Sequence, residues 1–75
     1  MSEKFEHSGK IYWITVEPVI IKDTNQTCYL CFVNEGKEPS AFHWGQLLKK
    51  GQYPIIFGDT YTALTNAKIL IREGI

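Results

Sequence analysis

Apolar residues crowd into two neighbouring stretches in the first half of the chain, and both stretches have the composition of β-strands. The first runs from Lys10 to Lys22 and the second from Thr27 to Val33. Both are rich in β-branched and aromatic side chains, which favour strands. Turn-forming residues at 23–26 join them, so we expect a hairpin with a loop of about four residues. Pro18 has no amide proton, and it therefore predicts a sheet edge or a bulge at its position.

The last third of the chain has the pattern of a strand, a turn and an amphipathic helix. Residues Tyr53 to Phe57 are β-prone and mostly apolar. Asp59 is a favourable N-cap, and Gly74 can adopt the left-handed conformation that ends a helix. Between the two caps, apolar side chains form one stripe about 120° wide, as expected for a helix that lies on a sheet. These side chains are Ala63, Leu64, Ala67, Leu70 and Ile71.

The segment between the hairpin and the last strand predicts a short helix. Ser40 could cap it, and Gly51 could end it. Its apolar side would carry Ala41, Trp44, Leu47 and Leu48. Gly45 weakens this interpretation, because glycine inside a helix costs about 1 kcal/mol relative to alanine. The predicted order is therefore β-β-short α-β-α. This is an α+β fold with a small antiparallel or mixed three-stranded sheet and a C-terminal helix packed on one face.

The predicted hairpin is apolar on both faces, and this is the main functional signal. A strand with one buried face should alternate apolar and polar residues. In the first strand, one face would carry Tyr12, Ile14, Val16 and Ile20, and the other Ile11, Trp13, Val19 and Ile21. The terminal helix covers one face, so we expect the other to bind a second copy of the chain or another protein. The alternative is that the short helix and the N-terminal residues cover it, with Trp13 and Trp44 as core residues.

Length and charge limit the possible functions. The chain has 75 residues, and we expect residues 10–75 to form a single domain and residues 1–9 a polar N-terminal arm that could be flexible. Eight basic and eight acidic residues cancel, which weakens both attraction to nucleic acid and repulsion between copies. No segment approaches the roughly 20 apolar residues of a membrane span, and the first ten residues lack the apolar run of a signal peptide. We therefore expect a cytoplasmic protein that does not bind membranes.

Few residues suggest chemistry. Cys28 and Cys31 form a C-x-x-C pair, and His7 and His43 could complete a zinc site. Residues three apart on a strand point to opposite faces, so buried structural cysteines are the stronger interpretation. No nucleophile or carboxylate is linked to His43 by its spacing, and Gly58-Asp59-Thr60 lacks the glycines and lysine of a phosphate loop. We predict no catalytic residue, no cofactor and no metal.

The leading hypothesis is a small, non-catalytic protein-binding module that forms a homodimer, such as an inhibitor, an adaptor or a phage-type accessory protein. Aromatic anchors dominate the energetics of protein interfaces, and Phe42-His43-Trp44 could form an exposed aromatic segment. The predicted contact residues are Trp13, Tyr29, Phe42, His43, Trp44 and Ile69.

The alternative hypothesis is a single-stranded nucleic-acid-binding protein. Aromatic side chains on a sheet can stack on bases while lysines bind the phosphates. The candidate residues are Tyr12, Trp13, Tyr29 and Phe32 for stacking and Lys22, Lys49 and Lys50 for phosphate contacts. The net charge of zero disfavours this hypothesis.

Overall fold

The computed structural model describes residues 1–40 and 43–74, and its fold is α+β, as predicted. Within these residues, six strands and one helix follow one another: β1 (Ser2–His7), β2 (Lys10–Ile21), β3 (Gln26–Glu35), β4 (Gln46–Leu47), β5 (Lys49–Lys50), β6 (Tyr53–Pro54) and α1 (Thr60–Arg72). The first four strands form an antiparallel sheet in the order β1-β2-β3-β4, and β5 and β6 form a separate hairpin.

The pairing of β2 with β3 is the framework of the sheet. Ten consecutive residue pairs run without a bulge from Tyr12 opposite Glu35 to Ile21 opposite Gln26. Pro18 lies within this ladder, on the side of β2 that faces β1, where β1 reaches only Val16. Its nitrogen therefore has no strand beside it, and the proline costs no ladder bond. This confirms the edge position predicted for Pro18 and shows that no bulge is needed.

The chain begins with a strand and not with the predicted arm over residues 1–9. A tight turn at Ser8-Gly9, with φ of +52° and +75°, joins β1 to β2, which suits a two-residue hairpin loop. Phe5 packs against the core, and Lys68 and Arg72 lie 5.7 and 5.4 Å from the centre of its ring. The polar composition of these residues indicated an arm. Edge strands are also rich in charged and polar side chains, which prevent unwanted pairing with strands of other molecules.

The prediction of a short helix from Ser40 is wrong. In this segment the structure describes Ser40 and the residues from His43 onward, and none of these is helical. His43 forms a two-way backbone bridge with Ser40, and β4 and β5 follow. Gly45 has a φ of +100°, which a helix does not allow. Buried Leu48 then links the two sheets, because its amide donates to the Cys31 carbonyl at 2.9 Å and its carbonyl accepts from the Ile55 amide at 3.1 Å.

The predicted third strand is shorter than expected. Only Tyr53 and Pro54 form β6, which pairs with β5 and not with the long hairpin. Phe57, three residues further on, forms a separate two-way backbone bridge with Tyr29 of β3 at 2.9 Å in each direction. The buried side chain of Phe57 then closes the core at this edge.

The terminal helix agrees with its prediction. Asp59 caps it by accepting a hydrogen bond from the Thr62 amide at 2.7 Å, and this bond with that from the Thr62 hydroxyl holds the pKa of Asp59 below its usual value. Gly74 has a φ of +86°, as a left-handed helix end requires. The predicted stripe packs on the sheet to form the core. The buried core residues are Ile14, Val16, Cys31, Val33, Leu48, Phe57, Ala63, Ala67 and Ile71, with Leu64 and Leu70 half-buried beside them.

Gly45 generates a stability prediction. A Cβ on this residue would lie 2.4 Å from the carbonyl oxygen of Val33. We expect Gly45→Ala to lower the free energy of unfolding by about 2–4 kcal/mol, because the left-handed backbone and the overlap both oppose a side chain. Urea unfolding followed by circular dichroism measures it. Gly58→Ala is the control, since nothing lies within 4 Å of that position, and its effect should stay within about 0.5 kcal/mol. Equal losses in the two variants would contradict the close approach.

Candidate functional site

The β2–β3 register divides the hairpin side chains between two faces. Ile14 lies opposite Val33 and Val16 opposite Cys31, and all four belong to the core under α1. Their neighbours along each strand point the other way. We call this second surface the open face, because α1, the one helix in residues 1–40 and 43–74, packs on the opposite side. From β2 and β3 it carries Ile11, Trp13, Thr15, Glu17, Val19, Ile21, Gln26, Cys28, Leu30, Phe32 and Asn34.

Aromatic side chains meet at the centre of the open face. Trp44 contacts Phe32 edge to face, with ring centroids 5.1 Å apart and an interplanar angle of 64°. Leu47 lies directly opposite Phe32 on β4. Trp13 is the diagonal neighbour of Phe32 on β2, a spacing of about 7–8 Å that aromatic side chains can bridge. We call Trp13, Phe32, Trp44 and Leu47 the aromatic patch.

The backbone before β4 positions Trp44 in this patch. Gly45 approaches β3 so closely that no side chain fits between it and the Val33 carbonyl. The residue before it is therefore held beside Phe32, the neighbour of Val33 on β3. A glycine that breaks the predicted helix thus brings an aromatic anchor to the sheet.

Thr15 shows how the larger side chains lie over the open face. It is directly opposite Phe32 and only 2% exposed. Its hydroxyl shares a hydrogen bond of 2.9 Å with that of Ser2 on β1, which satisfies it away from water. A residue as small as Thr15 can be buried at this position only if the side chains of its larger neighbours lie flat against the sheet. The patch is therefore a continuous surface and not a row of separate side chains.

Beyond Glu17, further apolar side chains lie on the open face toward the tip of the β2–β3 hairpin. Trp44 is 37% exposed, Val19 40% and Ile21 38%. Charged residues border this surface along β1, where Lys4 lies opposite Trp13 and Glu6 opposite Ile11. An apolar centre with a polar border is the usual organisation of a protein-binding surface.

Only some of the six predicted contact residues come together. Trp13 and Trp44 share the open face through Phe32, and exposed His43 directly precedes Trp44. Tyr29 points to the opposite side and packs against the core, and 43%-exposed Ile69 lies on the outer surface of α1. Phe42 lies outside the described residues.

Leu30, Phe32 and Leu47 also lie on the open face and were not among the predicted contact residues. Phe32 and Leu30 had a usable signal, because the length of the loop between the hairpin strands sets the register. With Ile21 opposite Gln26, Phe32 falls on the same face as Trp13 and Tyr29 does not. Leu47 had no such signal, since its strand forms only by pairing with distant β3.

The two cysteines lie on opposite faces of β3, as predicted. Cys31 is in the core, where its thiol donates to the Ala63 carbonyl at 3.9 Å, and burial raises its pKa to about 11. Cys28 is buried on the open face beside Val19. Both are free thiols. Within residues 1–40 and 43–74, no group of three or more histidine, cysteine or acidic side chains is arranged to hold a metal.

The residues of the nucleic-acid hypothesis are divided by the fold. Tyr12 and Tyr29 pack against the core on the helix side, whereas Trp13 and Phe32 lie on the open face. The lysines are separated as well, with Lys22 in the β2–β3 turn and the other two in β5. A single strand of nucleic acid would meet only part of the set on either face.

Comparison of the chain with protein-family models, with curated proteins and with solved structures gives no match. In the part of the chain that the structure describes, no helix has the length and apolar character needed to cross a membrane. The functional interpretation therefore depends on the chemistry of the surface itself.

The core position of Cys31 generates a reactivity prediction. In Cys28→Ser, which leaves Cys31 as the single thiol, we expect a disulfide reagent to react with the native protein at pH 8 about two orders of magnitude more slowly than in urea. The reason is that the thiolate is the reactive form and both burial and the raised pKa suppress it. Absorbance of the released thiol follows the rate. Equal rates in native and unfolded protein would contradict a core position.

Proposed function

We propose that the chain is a small, non-catalytic protein-binding module of the cytoplasm that acts through its aromatic patch and forms a homodimer by packing two open faces together. The observation that carries the proposal is the edge-to-face contact of Trp44 with Phe32 on a sheet face that lies away from α1. The two free thiols, Cys28 and Cys31, support a reducing compartment.

The chemistry of the patch favours a protein as the bound molecule. Tryptophan is enriched at the residues that contribute most to protein interfaces, and it loses little conformational entropy on binding. The contact with Phe32 already restrains Trp44, so a partner would meet a largely preformed anchor. Leu47 and Val19 extend the apolar area around it. Such a surface fits an inhibitor, an adaptor or an accessory protein that covers a site on a larger protein.

Several features favour a second copy as the occupant of the open face. The net charge is zero, so two copies do not repel each other strongly. The β1 border offers both signs, with Lys4 and Glu6 on the same face, and a two-fold axis can bring opposite charges together. Sheets pack face to face at about 10 Å, which suits a flat apolar surface. A standard interface covers about 800 Å² per copy, roughly a seventh of the 5392 Å² surface of the chain.

The nucleic-acid alternative receives less support. Its four aromatic residues are divided equally between the core side and the open face. It also requires binding that weakens steeply with salt, because phosphate contacts release counterions.

A target protein that binds the same open face would compete with the second copy, and this competition would couple the homodimer to function.

Trp44 provides the test of the proposal. Sedimentation equilibrium should show a dimer for the natural chain, and Trp44→Ala should weaken it about thirtyfold or more, as the loss of a central anchor does. Trp44 is 37% exposed and lies outside the core, so circular dichroism of the variant should show an intact fold.

Ile69→Ala is the matched control. Ile69 is 43% exposed on α1, away from the patch, and its removal should change the dimer dissociation constant less than about twofold. A natural chain that stays monomeric up to about 100 µM would overturn the homodimer. Equal weakening by both variants would overturn the assignment of the interface to the open face.

A further inference from the structure

A cleft lies at the edge of the four-stranded sheet, where β4 is followed by the β5–β6 hairpin. After Leu48 the chain turns away from the edge of β3, reverses at Gly51 and returns at Ile55, and the C-terminal part of α1 forms another wall. Its volume is about 750 Å³, within the range of about 300–1,000 Å³ usual for small-molecule sites. The apolar lining is Val33, Leu47, Leu48, Ile55 and Leu70.

The cleft shares one residue, Leu47, with the aromatic patch. Val33 and Tyr12, which also line it, belong to the helix side of the sheet, whereas Trp13, Phe32 and Trp44 are on the open face. A ligand in the cleft would therefore leave the three aromatic side chains of the patch free for a second copy. The ligand titration and the dimer measurement report on different residues, so a failure of one proposal is distinguishable from a failure of the other.

The charges around the cleft favour an anion. Lys49 and Lys50 line it, both are exposed, and neither forms an ion pair with any residue of the described ranges. The one acidic residue in the lining, Glu35, is already paired with Lys10 at 3.5 Å. The lining therefore combines an apolar surface with two cations available to a ligand.

We propose that this cleft binds a small amphipathic carboxylate. Its aliphatic or aromatic body lies on Val33, Leu48 and Leu70, and its acid group lies at the β5 edge of the cleft, where Lys49 and Lys50 supply positive charge. The apolar body supplies most of the affinity through burial, and the two lysines select the charge. Tyr12 is a further residue of the lining that carries a polar group.

Three probes with the same chain length test the site: octanoate, 1-octanol and octyltrimethylammonium. Titrations of the ¹⁵N-labelled protein should give saturable shifts at the amides of Leu48, Ile55 and Leu70 with octanoate. We expect octanol to bind about tenfold more weakly and the cation more weakly still, because each lacks the favourable charge contact. The indole N–H groups of Trp13 and Trp44, which belong to side chains on the open face, should not shift, which separates this site from the proposed interface.

The double variant Lys49→Gln/Lys50→Gln tests the charge contacts. It should weaken octanoate about tenfold and leave octanol within about twofold. Lys22→Gln/Lys37→Gln removes the same charge from two exposed lysines outside the lining, and octanoate affinity should not change. No saturable shift with any probe would overturn the site. Equal affinity for octanoate and octanol, unchanged by the double variant, would overturn the choice of a carboxylate.

Discussion

The unbroken pairing of β2 with β3 is the constraint on which the rest of the structure depends. Both strands are apolar on both faces, so composition alone does not decide which side chains enter the core. The register decides it by placing Ile14 against Val33 and Val16 against Cys31. A slip of one residue would exchange the faces of one strand and put Phe32 under the helix. The core, the aromatic patch and the choice of Cys31 as the core cysteine all follow from this ladder.

The parts of the fold that were predictable from the sequence are those determined by neighbouring residues. The limits of α1 come from the capping carboxylate of Asp59 and from Gly74, and its apolar stripe follows the helical period. The hairpin likewise follows from two β-prone stretches around a short loop. Strands β1 and β4 were not predictable, because neither has a strong local signal and each forms by pairing with a partner already in the sheet. Gly45 illustrates the difference, because its positive φ and its closeness to Val33 are determined by the tertiary structure and not by the residues next to it in the sequence.

The same distinction explains what could be predicted of the candidate site. Trp13 and Trp44 were identifiable from the sequence as large aromatic residues that the predicted terminal helix does not account for. Tyr29 lies on the helix side of β3 and Phe32 on the open face, and only the register of the hairpin determines which of them is on which face. The cleft had no signal in the sequence, because its walls come from β3, the β5–β6 segment and α1. The surface of the protein therefore has two regions of different chemistry, which are the aromatic patch on the open face and the cleft with its two lysines beside α1.

The central claim is that the open face is where copies of this chain meet. Intermolecular nuclear Overhauser effects, measured in a mixture of ¹³C-labelled and unlabelled protein, test it most directly because they report contacts between copies and not within one. We predict such effects from the side chains of Trp13, Phe32 and Trp44 to the other copy. Effects confined to helix residues such as Tyr61 and Ile69, or none at the concentrations used for NMR, would contradict the claim.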